Sequence, residues 1–416
     1  MHPRRLGAAK TYLLLEGVSG ALTTLFGTLF SVYLIVDARL TPFELIILGS
    51  VLEASVLVFE IPTGVVADAV SRRLSVIVGM AITGGALLLF GAIPEFASLV
   101  VASCIWGLGW TFQSGAYEAW ITDEVGEEAA AALYVRGAQV WWTGALVAIP
   151  IAVGLGAVGF SVPILVAGVG WIVLAVAMAF VMPETAFRKG RDEDRRLFDT
   201  FRGGLGAVRA SHVLVFVLVI SAIHGASTEA FDRLSTLHLL RGTSFPTDDA
   251  FGVVVWFGAI EAVGLLLSLA ASEMIRRRAD LGSHSGISRV LGAIDLGLVV
   301  AVVVFALTQA FWLALAAWWV VAFLREVRSP VFTAWVNRGL DPATRATVNS
   351  MAGQMDALGQ IAGGPLIGVA AIWFGVPAAI AIAGLIRVPA LLLYRRSRRA
   401  DALVHEEERG DAAALP

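Results

Sequence analysis

A chain of 416 residues that is 58% hydrophobic and only 15% charged, with a mean hydropathy of +0.81, departs from soluble proteins, which run near ~45–50% apolar and ~25% charged. This excludes a soluble enzyme or nucleic-acid binder and defines a membrane protein. A net charge of −3 selects no partner, and the single cysteine, Cys104, excludes an intrachain disulfide or a cysteine-held metal cluster.

Apolar runs of ~17–25 residues cross a bilayer as helices. Splitting the chain at polar and Pro/Gly breaks predicts twelve spans, at 11–36, 43–66, 74–93, 96–121, 133–158, 161–182, 212–237, 250–271, 287–309, 311–336, 346–374 and 376–394. The first run, preceded by Arg4, Arg5 and Lys10, is too long for a signal peptide and reads as an uncleaved span. With the N-terminus inside, 24 of the 30 Lys and Arg fall on inner segments, so both ends are expected in the cytoplasm. Arginine is used almost to the exclusion of lysine, which points to a GC-rich bacterial genome and hence to a bacterial inner membrane. The polar stretch after Pro183 divides the spans six and six. The expected units are an N-terminal bundle at 1–183, a cytoplasmic linker at 184–211, a C-terminal bundle at 212–396 and a disordered tail at 397–416.

An internal repeat supports that division. At an offset of 205, G-A-L-T-T-L-F at 20–26 lies over G-A-S-T-E-A-F at 225–231. At an offset of 215, Trp120 meets Trp335, Gln139 meets Gln354, Gly144 meets Gly359 and Pro150 meets Pro365. Trp110 falls on Arg325 in the same register, and Glu53 meets Glu261 at an offset of 208. Two parallel six-helix halves are a repeat plan of large secondary transporters.

Between the second and third spans lies G-V-V-A-D-A-V-S-R-R, Gly64 to Arg73, which reads as a tight charged turn at the membrane edge. It resembles the loop signature G-x-x-x-D-x-x-G-R-K/R of the major facilitator superfamily; Gly64, Asp68, Arg72 and Arg73 match, and Ser71 replaces the inner glycine. Together with the topology, the resemblance covers roughly residues 10–396. It implies an all-α fold of twelve transmembrane helices in two pseudo-symmetric bundles, with helices 1, 4, 7 and 10 around a central cavity. It also implies secondary active transport by alternating access rather than enzymatic chemistry. The expected function is proton-coupled efflux of small amphipathic compounds, as in an antibiotic-resistance antiporter. The alternatives are uptake or exchange of a metabolite or sugar and, in another class, a non-transporting receptor or lipid scramblase. A monomer with no cofactor, driven by a proton gradient and interacting with substrate, protons and lipid, fits each transport reading. The chain carries no nucleotide-binding motif and no metal-ligand cluster at recognisable spacing.

Ionisable groups inside spans are functional candidates by default. For the substrate and proton cavity these are Glu16, His224, Glu229, Arg325, Arg328 and Asp356. Matching depths predict a pair between Arg325 or Arg328 and Asp356. Carboxyl groups in a partly dry cavity can exchange protons near neutral pH, which makes Glu229 or Glu16 a proton carrier or cation site. Asp232 and Arg233, adjacent but ~100° apart on a helix, need different partners and are expected to form an extracellular gate. The cytoplasmic gate is expected to hold Gly64, Asp68, Arg72, Arg73, Glu118 and Asp123, joined by Arg136. Asp295 and Arg387 are expected to pair structurally. The tryptophans of span 10 (Trp312, Trp318, Trp319, Trp335) offer a stacking wall for substrates or interfacial anchors.

Overall fold

In lipid every backbone N–H and C=O must be satisfied within the segment, so a chain this apolar resolves into helices. The computed structural model describes residues 7–187, 212–278, 284–338, 340 and 342–396. Among them the helices are α1 (Ala8–Val36), α2 (Pro42–Ala69), α3 (Arg72–Ala92), α4 (Phe96–Val125), α5 (Glu127–Gly156), α6 (Val162–Val181), α7 (His212–Gly242), α8 (Ala250–Arg278), α9 (His284–Leu307), α10 (Phe311–Asn337), α11 (Pro342–Phe374) and α12 (Val376–Arg396). Eleven are long and apolar enough to cross a membrane; α10 is as long, but every 18-residue stretch of it holds Arg325, Glu326 and Arg328. Of the linker expected at 184–211, the residues from 188 onward lie outside the described residues, as does the tail expected at 397–416.

Local chemistry sets the ends. Thr41 and Glu44 form a reciprocal capping box at α2, with Pro42 in its first turn. Helix α2 continues to Ala69, so the expected turn from Gly64 to Arg73 shrinks to Val70 and Ser71. Gly64 is thus a helical residue, and a side chain there would meet nothing within 4 Å. Ser71 caps α3 by accepting the Leu74 N–H at 2.9 Å, which is why serine serves where the family motif has glycine. Helix α4 is broken at Gly115, whose φ of +67° a side chain would disfavour. Helix α12 is interrupted at Arg387.

The repeat is visible in the packing. Helix α1 packs chiefly on α5, and its counterpart α7 on α11; α3 packs on α4 and α6, and α9 on α10 and α12. Both leading pairs cross through glycines. A Cβ on Gly144 would strike the Gly17 carbonyl, and one on Gly359 the Ala222 carbonyl; Gly20 likewise abuts Trp141, and Gly225 abuts Asp356. Small residues allow such close crossings. Two compact units result: one holds α1–α6 with Pro246–Leu265, the other α7 and the chain from Leu266 onward.

Candidate functional site

The first unit contains a cavity of about 370 Å³ beside the break in α4. Its walls are aromatic, with Phe26 from α1, Trp106, Trp110 and Tyr117 from α4, Trp141 from α5 and Trp171 from α6. Two carboxylates, Glu16 and Glu118, are the charged groups of this lining. Half-buried Glu16 is flanked by Tyr12 and Tyr117, whose rings stack with centroids 5.2 Å apart. Gly137 of α5 makes room for it: a Cβ there would come within 3.0 Å of Glu16 Cγ and 2.6 Å of Tyr12. Trp106 sits edge-on to Phe26, Phe30 and Phe90 at 5.4, 6.0 and 6.1 Å. This aromatic lining comes from α1, α4, α5 and α6, and the tryptophans of α10 lie outside it. There Trp335 is buried against Tyr394, Trp318 packs on Phe305 and Phe231, and Trp312 is exposed.

At the α2–α3 junction, Arg72 bridges Asp68 at 3.2 Å and Asp123 of α4, and also donates to the Ala119 carbonyl at 3.3 Å. The expected counter-charge, Asp123, is in place. Two expected members of the cluster are not. Glu118 lines the cavity instead, because the Gly115 break turns the last part of α4, and its carbonyl accepts from Tyr134 at 3.2 Å. Arg73 turns to α6 and donates to the Ala179 carbonyl. Arg136 is exposed. Sequence reasoning missed Glu184, just beyond α6. One of its oxygens accepts from the Ser71 hydroxyl at 2.6 Å and the other from the Arg73 N–H at 2.9 Å. Nearby, Trp120 Nε1 donates to the Pro183 carbonyl at 2.7 Å and Glu124 accepts from Ala186 N–H at 2.8 Å. These bonds tie the end of α6 to α3 and α4.

In the second unit a cavity of about 420 Å³ is lined by His224 and Ser221 of α7, Arg325 and Arg328 of α10, and Asn349 and Asp356 of α11. The expected pair to Asp356 does not form. Arg325 binds Asp232 through both terminal nitrogens, one at 2.9 Å, and Arg328 binds buried Asp295 at 2.9 Å. Equal depth did not imply facing side chains: Asp356 instead accepts from Gln360 one turn on, at 3.0 Å, and its other oxygen has no partner among the described residues. Asp295 and Arg387 pair as expected, at 3.1 Å, so one carboxylate oxygen holds two guanidinium groups. Arg387 also donates to Ser227 at 3.0 Å, and Arg328 lies 4.7 Å over Phe332. Glu229, 1% exposed, pairs with Arg233 at 3.1 Å. Asp232 and Arg233 thus do have different partners, and Asp232 belongs to the same ladder of charges as Arg325. Glu53 and Glu261 are half-buried.

The two cavities occupy equivalent places in the repeat. At the offset of 205, Glu16 and Ser19 fall on Ser221 and His224. At the offset of 215, Trp110, Gln113 and Trp141 fall on Arg325, Arg328 and Asp356. The same backbone positions therefore present aromatic and acidic groups in one half and mainly basic groups in the other.

Twelve helices in two repeated bundles, each folding polar groups around a cavity, define a membrane transporter. The chain belongs to the Major Facilitator Superfamily, whose family model matches residues 12–288. It is similar to an uncharacterised MFS-type transporter, YxaM, of Bacillus subtilis strain 168, at 22% identity over 357 residues that cover 84% of this chain and 86% of that one. Among solved structures it resembles a variant of the nucleoside transporter NupG, at TM-score 0.76 and 13% identity over 94% of this chain and 99% of that one. It also resembles a bacterial homologue of the human lysosomal transporter Spinster in an inward-facing, unoccupied conformation, at TM-score 0.72 and 14% identity over 94% and 97%. At these identities the structural likeness concerns the fold.

Proposed function

We propose that this transporter exports small amphipathic cations in exchange for protons, by alternating access in a bacterial inner membrane with both chain ends in the cytoplasm. The observation that carries the reading is the first unit's cavity, with indole and phenol faces around Glu16 and Glu118. Aromatic faces attract cations by about 0.5–2 kcal/mol each, more as water is excluded. A carboxylate among them supplies the counter-charge. Glu16 holds either the cation or a proton, so cargo and proton leave and enter by turns, and Tyr12 and Tyr117 orient its carboxyl group. The Asp68–Arg72–Asp123 bridge serves as the cytoplasmic gate. Its partners are partly exposed, with Asp68 at 41%, and exposed ion pairs contribute only about 0.2–1 kcal/mol, so the bridge breaks and re-forms readily. Energy comes from the proton gradient, without a cofactor.

The test uses proteoliposomes with ethidium as the probe. Ethidium should move against its gradient when a pH difference is imposed, and Glu16→Gln should leave ethidium equilibration but remove its dependence on the pH difference. Ethidium flux indifferent to pH in the wild type would refute proton exchange. Wild-type proteoliposomes that match empty liposomes would refute the cationic cargo.

A further inference from the structure

The second unit's cavity is not absorbed by a cationic cargo, because its lining is basic where the equivalent lining of the first unit is acidic and aromatic. We propose that it is a binding site for a small carboxylate anion, taken up together with a proton on Asp356. This reading stands apart from the proposed export of cations and does not depend on it.

Three observations converge. The first is the set of unmet donors and acceptors. His224 Nδ1 and Asp356 Oδ1 are buried and have no partner among the described residues. Arg328, 4% exposed, uses Nε on Asp295 and Nη2 on Tyr394 and lines the same cavity as a positive charge. Ser221 and Asn349 add further polar groups there. A buried polar atom left unpaired costs about 1–3 kcal/mol, which an anion hydrogen-bonded to His224 and paired with the Arg328 charge recovers at His224. The second is room: about 420 Å³ is ample for a small carboxylate.

The third is charge balance. The charged groups acting on Asp356 of α11 are Arg325 and Arg328 of α10 and Arg387 of α12, and His224 of α7 shares its cavity; Arg325 is in turn held by Asp232 of α7, Arg328 by Asp295 of α9 and the Tyr394 phenol of α12, and Arg387 by Asp295. Three guanidinium groups stand against Asp232, Asp295 and Asp356, so the cluster is neutral while Asp356 is ionised. The Glu229–Arg233 pair beside Asp232 on α7 adds one charge of each sign and leaves that balance unchanged. A carboxylate anion added to the neutral cluster would bring uncompensated negative charge into a low-dielectric site, which is costly. Protonating Asp356 leaves the cluster at +1, and the anion restores neutrality. The proton comes from water and forms the Asp356 carboxyl O–H bond; the anion binds without covalent change. Proton and anion are then thermodynamically linked, and each strengthens the other's binding by the same factor.

The experiment is equilibrium binding of radiolabelled benzoate to the purified full chain in detergent, between pH 6 and 9. The expected result is saturable binding that strengthens as pH falls, by up to tenfold per unit where one proton enters per anion. Asp356→Asn, a neutral side chain of the same shape, should bind at pH 9 at least tenfold more tightly than the wild type and lose the pH slope, whereas His224→Gln should weaken binding and keep the slope. Absence of saturable binding in the wild type, an unchanged slope in Asp356→Asn, or a slope lost in His224→Gln would each overturn the proposal. Displacement of benzoate by an equal concentration of inorganic phosphate would overturn the carboxylate assignment. Because no transport is measured, failure here is distinct from failure of the cation-export reading.

Discussion

The glycine crossings permit a matched experiment on each repeat. On α11, Gly359→Ala places a methyl against the Ala222 carbonyl of α7, whereas Gly353→Ala on the same helix meets nothing within 4 Å. On α5, Gly144→Ala strikes the Gly17 carbonyl of α1, and Gly154→Ala meets nothing within 4 Å. The struck atoms are backbone, so no side-chain rotation relieves the clash and the helices must part by roughly 1 Å. A gap of that size forfeits about a quarter to a half of each contact's dispersion energy, and overpacking of this kind costs about 1–3 kcal/mol. The control substitutions gain about 0.5–1 kcal/mol, because alanine loses less backbone entropy than glycine in a helix. The same gain applies at the buried glycines, so each buried site should lie about 1–3 kcal/mol below its own control. In thermal unfolding of the purified 416-residue chain that is a separation of about 1–3 °C. Both pairs should behave alike, since Gly144 and Gly359 are repeat mates. Equal midpoints within either pair would refute the reasoning that its crossing stabilises the bundle it belongs to.

Asp68→Asn should cut transport severely in the proteoliposome assay while shifting the unfolding midpoint little, because the Asp68–Arg72 pair is partly exposed and contributes at most about 1 kcal/mol. Glu184→Ala removes the acceptor for the Ser71 hydroxyl and the Arg73 N–H, and should lower stability by about 1–2 kcal/mol, seen as faster proteolysis after α6. Asp249 begins α8: its carboxylate accepts from the Thr247 hydroxyl and the Gly252 N–H, which hold its pKa below the ordinary 3.8. A depressed carboxylate stabilises above its ordinary pKa and loses that contribution as pH falls through the folded value. The wild type's stability advantage over Asp249→Ala should thus be full at neutral pH and fade below about pH 4, as followed by unfolding at a series of pH values.

What the sequence made legible follows what is linear in it. Runs of apolar residues locate all twelve helices, with ends up to about seven residues out, and the offset of 215 that aligns Gly144 with Gly359 finds the crossing helices. Asp123 was accessible as a partner for Arg72 because both sit at the ends of neighbouring spans. The pairing of Arg325 with Asp232 rather than Asp356 was not, since residue count gives depth along a helix but not the direction a side chain faces. Nor was the aromatic cavity. Trp106, Trp110, Trp141 and Trp171 are spread over α4 to α6 and carry no mark that separates a wall from an anchor. Glu184 was read as part of a linker, yet its hydrogen bonds make it part of the helical body. The break at Gly115, which takes Glu118 from gate to cavity, needed a backbone angle that Ser-Gly alone does not announce.

The equivalence of the two cavities has a consequence for how such a chain changes over generations. Positions that let the helices cross are matched between the halves, while positions that face the cavities have diverged, Glu16 from Ser221 and Trp141 from Asp356. After a duplication, one copy of a pocket can drift toward a new cargo while its twin keeps the old one, and neither change disturbs the scaffold. Ancestry of this kind separates the inheritance of shape from the inheritance of selectivity. The diverged side chains sit on α1, α4 and α5 in one half and on α7, α10 and α11 in the other, beside crossing glycines that have not changed.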